Sequence, residues 1–143
     1  LSASSLVQNL NGAGSMILGS AGLVASYSSN ESITGVISDT GFGFFTKTGS
    51  ATLTISGANT YTGGTTIAQG TLTAGADNTI PSSGTVNLSS ASSILHLNDH
   101  PQIIGNLAGV SGSQLELGSA TLTVGDTSNQ LFAGTITGNH PWL

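Results

Sequence analysis

Residues 47–72 read KTGSATLTISGANTYTGGTTIAQGTL, and the alternation inside them decides the architecture. In Thr52-Leu53-Thr54-Ile55 the aliphatic side chains share one face of an extended chain and the hydroxyls the other, because successive strand residues point to opposite sides. Leu53, Ile55, Ile67 and Leu72 are therefore expected to point into an interior, where each fully buried aliphatic contributes about 1.5–3 kcal/mol. Gly63-Gly64 can supply positive φ at a tight corner, and Asn59 tolerates left-handed geometry while its amide bonds nearby backbone. Tyr61 is expected to pack beside that turn, its hydroxyl hydrogen-bonded or in water. The stretch predicts short strands with one dry and one wet face, joined by sharp corners.

The same signal recurs on both sides of it. Alternating or β-branched segments stand at Met16–Leu18, Leu23–Ala25, Ile33–Ile37, Phe44–Thr46, Thr52–Ile55, Thr65–Ile67, Thr71–Thr73, Thr85–Leu88, Ile94–Leu97, Ile103–Leu107, Gln114–Leu117, Thr121–Val124 and Leu131–Ile136. Nearly every gap between them holds Gly, Asn, Asp or Ser, and no window keeps a helical period for three turns. An internal repeat appears when residues 9–41 are laid on 106–138 at an offset of 98–99: Gly14 falls on Gly112, Leu18 on Leu117, Leu23 on Leu122, Asn30 on Asn129, Gly35 on Gly134 and Ile37 on Ile136. A period that long exceeds one turn of a common solenoid, so each module should comprise several coils. A β-sandwich has no reason for this repetition or for so few charged and proline edge guards. The expected fold class is all-β, a parallel β-helix. With coils about 4.8 Å apart, four to seven of them make a rod about 20–35 Å long.

Composition removes most other functions. The 143 residues are 37% hydrophobic but only 5% charged, against about 25% in ordinary domains, and 21 are Gly. A mean hydropathy of +0.23 with regular apolar positions argues for a folded core over disorder. One basic side chain, Lys47, against six acids leaves a net charge of -5, which cannot neutralise a row of phosphates, so no nucleic-acid partner is expected. The absence of Cys removes disulfides, thiolate metal sites and Cys nucleophiles. No apolar window reaches membrane-helix length, residues 1–20 lack the basic-then-apolar order of a signal peptide, and the chain reads as a piece that opens and closes inside a repeat.

Residues 47–72 strongly resemble the passenger-associated transport repeat of Gram-negative autotransporters, also described as the autotransporter-associated β-strand repeat. Lys47, Gly49, Leu53, Ser56-Gly57-Ala58-Asn59-Thr60-Tyr61, Gly63-Gly64-Thr65-Thr66 and Gly70-Thr71-Leu72 occupy its characteristic positions. The connector-like flank Leu95–Gly112 and the GSATLTVG that follows extend the likeness over most of residues 8–138. The resemblance implies a right-handed β-helix: a single passenger segment over residues 1–143, secreted or held at the cell surface. It also implies export through an outer-membrane translocator barrel, and a role in stalk formation and folding with adhesion or autoaggregation as a further possibility. The lack of Cys agrees with passage through the periplasm, where early disulfides would block export. The tail Asn139-His140-Pro141-Trp142-Leu143 departs from the family pattern, and Trp142 is a candidate cover for the last coil. Uncapped ends would invite end-to-end stacking.

Candidate chemistry is sparse, and the expectation is that the chain is not an enzyme. His96-Leu97-Asn98-Asp99-His100 offers two imidazoles and a carboxylate, yet it spans a strand end and a turn, and a surface turn outweighs a metal site. His140 stands alone. Asp39, Asp77, Asp99 and Asp126 lie mostly in turn contexts and form no calcium repeat or EF-hand loop. There is no Gly-x-Ser-x-Gly elbow. No catalytic, cofactor-binding or metal residue is assigned, and no cofactor is expected. The sequons at Asn30 and Asn87 carry little weight in a bacterial reading. The rival reading is a self-contained binding module for protein, glycan or ice, or a self-assembling solenoid. It rests on the pairs Thr52/Thr54, Thr71/Thr73, Thr121/Thr123 and Thr135/Thr137, although Thr is also simply a good polar strand residue.

Overall fold

The computed structural model describes residues 5–8, 10–125 and 128–139. Sixteen short strands, numbered in chain order, wind into a parallel β-solenoid of about six turns, and among the described residues there is no helix. One side is a six-stranded sheet of β1 (Ser5–Gln8), β3 (Leu23–Ser26), β6 (Phe45–Thr48), β8 (Thr65–Ile67), β10 (Thr85–Leu88) and β13 (Asn106–Gly109). The second is a six-stranded sheet of β4 (Glu31–Ile33), β7 (Thr52–Ile55), β9 (Gly70–Ala74), β11 (Ser93–His96), β14 (Gln114–Glu116) and β16 (Thr135–Thr137). The third side has only two pairs, β2 (Met16–Ile17) with β5 (Ile37–Ser38), and β12 (Gln102–Ile104) with β15 (Leu122–Val124). Register partners in neighbouring coils lie 18 to 23 positions apart, which is the length of one turn.

Alternation and register together make columns. In the second sheet Leu53, Leu72, Leu95, Leu115 and Ile136 stand directly over one another. In the first sheet Leu23, Phe45, Thr65, Val86 and Leu107 form one column, and Ala25, Lys47, Ile67, Leu88 and Gly109 another. The four aliphatics expected inside, Leu53, Ile55, Ile67 and Leu72, are fully buried. A register slip of one residue would turn each column outward, so the apolar pattern pins every strand to its neighbour.

Three expected strands bend at a glycine. Ile33–Ile37, Ile103–Leu107 and Leu131–Ile136 each turn from one side of the solenoid to the next, at Gly35, Gly105 and Gly134. A Cβ at Gly35 would overlap the Gly14 carbonyl, and at Gly105 it would lie 2.5 Å from the Gly84 carbonyl. The corner backbones of successive coils pack too closely for a side chain. β1 is a strand that the reading of the sequence did not anticipate.

The 98–99-residue offset relates segments on different sides of the solenoid. Leu23 lies in the first sheet and Leu122 on the third side, while Ile37 lies on the third side and Ile136 in the second sheet. The offset is therefore not a whole number of coils, and the similar sequences sit one side apart around the axis.

Candidate functional site

The densest set of built side-chain interactions lies in the segment from β6 to β9. It begins with Lys47, whose ammonium is folded inside the coil, fully buried, although strand alternation there calls for an apolar residue. Its Nζ donates to the carbonyls of Gly49 (2.6 Å) and Gln69 (2.8 Å), with a longer bond to Thr48 (3.3 Å), and stands 5.8 Å from the centre of the Tyr27 ring. Burial pushes the Lys47 amine down to about 8. Gly49 is needed here with φ +77°, since a Cβ would overlap the Tyr27 backbone.

At the third side the side chain of Asn59 replaces a strand. Its Oδ1 accepts from the Ile37 N–H (2.8 Å) and its Nδ2 donates to the Thr79 carbonyl (2.9 Å), tying three coils through one buried amide. Asn59 is thus a ladder rung and not the left-handed corner expected; among the described residues, the non-glycine residues with positive φ are Asn78 (51°), Asn98 (51°) and Asp99 (63°). Gln102 repeats the device in the other direction, accepting from the Ile80 N–H (3.1 Å) and donating to the carbonyls of Ala76 (2.8 Å) and His100 (3.2 Å). Tyr61 is fully buried, with its hydroxyl 2.6 Å from Thr65 Oγ1 and its ring tilted against Phe45. Of Gly63-Gly64, only Gly64 takes positive φ (96°), while a Cβ on Gly63 would lie 2.5 Å from the Phe42 carbonyl.

The acidic side chains tie coils together at the corners. Asp39 accepts from the Thr62 N–H and hydroxyl (both 2.7 Å) and from the Gly43 N–H (2.9 Å). Desolvation pushes its carboxyl up, but these bonds outweigh it and the net direction is down. Asp99 is held low by the Ser119 N–H (2.7 Å) and hydroxyl (3.0 Å), against slight desolvation and with help from the charges of His96 and His100. His100 meets Asp77 at 2.9 Å. His96 stands opposite Glu116 in the strand register, and the His100 imidazole pairs with Asp77. Among the described residues no three His, Cys, Asp or Glu side chains group as a metal site would require. Asp126, His140 and Trp142 lie outside the described residues.

The threonine pairs fall on two sides. Thr52 faces Thr71 and Thr54 faces Thr73 across β7 and β9, but the next strands place Ile94 and His96, then Gln114 and Glu116, before Thr135 and Thr137 return. Thr123 belongs to the third side. The hydroxyls form a two-strand patch and not a continuous array.

The interior polar residues were hard to see in the sequence. Lys47, Asn59 and Gln102 look like surface or turn residues in a chain rich in both, and only the one Lys in a strand's inward phase signals anything. Against this geometry, the family model of the passenger-associated transport repeat matches residues 45–74. The match begins on the first residue of β6 and ends on the last of β9, so the repeat is two successive strands in each large sheet with the Asn59 rung between them. No curated protein and no solved structure matches the chain.

Proposed function

We propose, from a passenger-associated transport repeat set within a parallel β-solenoid, that this chain is a structural and folding segment of a secreted or surface-exposed autotransporter passenger, a stalk without catalytic activity. The observation that carries the reading is the coincidence of the matched residues 45–74 with whole strands β6 to β9 in the middle of an unbroken stack. Export requires a chain that is threaded unfolded through a translocator barrel and folds on the far side. A solenoid suits this, since each coil needs only its predecessor, 18 to 23 residues earlier, and stability accrues by neighbour stacking. The absence of Cys leaves no covalent loop to obstruct threading.

A second reading, as an adhesive or self-associating module, is favoured by the last described coil. There Leu131 is 76% and Ile136 47% exposed, at the end of an otherwise buried column. A further coil or a second copy stacked on that edge would cover them.

Fractionation of source cells, with mass spectrometry of peptides from this segment, tests the primary reading. A product much larger than 14.1 kDa at the outer membrane or in the medium is the expected result. A free cytosolic product near that mass would overturn it. Replacing Thr52, Thr54 and Thr71, in the outward phase of their strands, by Val tests the adhesive reading; unchanged cell or surface binding would remove those hydroxyls as the binding face.

A further inference from the structure

We propose that the gap in the third side is a binding recess for a small neutral polyol, of the size of one sugar ring. This side carries paired strands at both ends, β2 with β5 and β12 with β15, but none between. The cause is local. Pro81 has no N–H to donate to a ladder, the Ile80 N–H is taken by the Gln102 side chain, and the Ile37 N–H by that of Asn59. The missing strand leaves a recess of roughly 200 Å³ lined by Asn59, Asn78, Ile80, Pro81, Ser82 and Ile103. The recess is small and opens to solvent, so it can seat a single sugar ring with its outer edge left in water.

The lining selects the ligand's chemistry. Ile103, 49% exposed, makes an apolar wall beside the buried Ile80 and Pro81, and this wall meets a C–H face. Asn78 and Ser82 stand exposed at the rim with an amide and a hydroxyl, which exchange hydrogen bonds with ligand hydroxyls. Asn78 is held at φ 51° with its N–H bonded to the Pro101 carbonyl at 3.0 Å, so its side chain leaves a fixed backbone. No charged side chain lines the recess, and a chain of net charge -5 repels anions. Without an aromatic ring to stack on, single-site affinity belongs in the millimolar range, which becomes useful where many sites meet a glycan surface together. The proposal stands independently of the passenger reading.

Titration of the ¹⁵N-labelled chain with glucose, galactose and N-acetylglucosamine, each to about 100 mM and so well above a millimolar Kd, tests it. Saturable shifts of the Asn78, Ser82 and Ile103 amides with at least one sugar are expected. Asn78→Gly keeps the left-handed backbone, removes the amide, and should weaken binding about five- to tenfold, as loss of one hydrogen bond does. Ser82→Ala, on the exposed rim, is the second variant and should weaken it in the same direction. The proposal is overturned by the absence of saturable shifts with all three sugars, by shifts centred elsewhere, or by binding that survives both substitutions.

Discussion

Lys47 is the residue that ties this chain's chemistry to its pH response. Its amine titrates near 8 in the folded state against about 10.5 in an unfolded chain, so between those values the unfolded state holds the extra proton and stability rises with pH. Tyr27 and Tyr61 act oppositely: burial raises both phenols, with the Glu31 charge adding to Tyr27 and the Thr65 bond easing Tyr61, so above about pH 10 the unfolded tyrosines ionise first and stability falls. Urea unfolding from pH 7 to 11 should therefore show a maximum between about pH 9 and 10, and in Lys47→Met the rise from pH 8 should vanish. Tyr27 is itself frustrated. It is fully buried, and its hydroxyl is the buried side-chain oxygen without a partner among the described residues. Tyr27→Phe removes that unpaired group while keeping the ring under Lys47, and should raise unfolding free energy by about 1 kcal/mol in the same assay.

Columns, not single strands, are the stabilising elements. Leu72 sits inside the column Leu53, Leu72, Leu95, Leu115 and Ile136, with a Leu on either side of it, whereas Ile136 is half exposed at its end. Leu72→Ala should cost about 2–5 kcal/mol by cavity formation, and Ile136→Ala under about 1 kcal/mol, measured by chemical denaturation. Equal costs would mean that the last coil is covered by something in solution. The alternating pattern made the strands and their inward faces legible, because period two is a local property. Corners at Gly35, Gly105 and Gly134 were not, since an isolated Gly between apolar residues reads as a strand until the carbonyl of the coil beneath is in place.

Across the whole molecule, stability is spread along one axis. Each coil touches only its neighbours, so interior coils gain two interfaces and terminal ones a single interface. Amide hydrogen exchange should accordingly be slowest in β7, β9 and β11 and fastest in β1 and β16, with protection falling toward both ends; uniform protection would contradict the one-dimensional account. The surface has a related simplicity. With its one basic side chain buried, the folded rod presents carboxylates, imidazoles, neutral polar groups and single apolar side chains such as Phe42 and Leu131 to solvent.

What the amino-acid sequence determined alone was the all-β class, the inward set Leu53, Ile55, Ile67 and Leu72, and the repeat that the match at residues 45–74 bears out. Those are carried by side-chain alternation and local glycine spacing, which need no knowledge of partners. Tertiary structure decided the length of a coil, the placing of similar sequences one side apart, and the interior work of Lys47, Asn59 and Gln102. Each of these depends on which backbone carbonyl or N–H lies one turn, some 18 to 23 residues, away, and that neighbour exists only once the chain has wound back on itself.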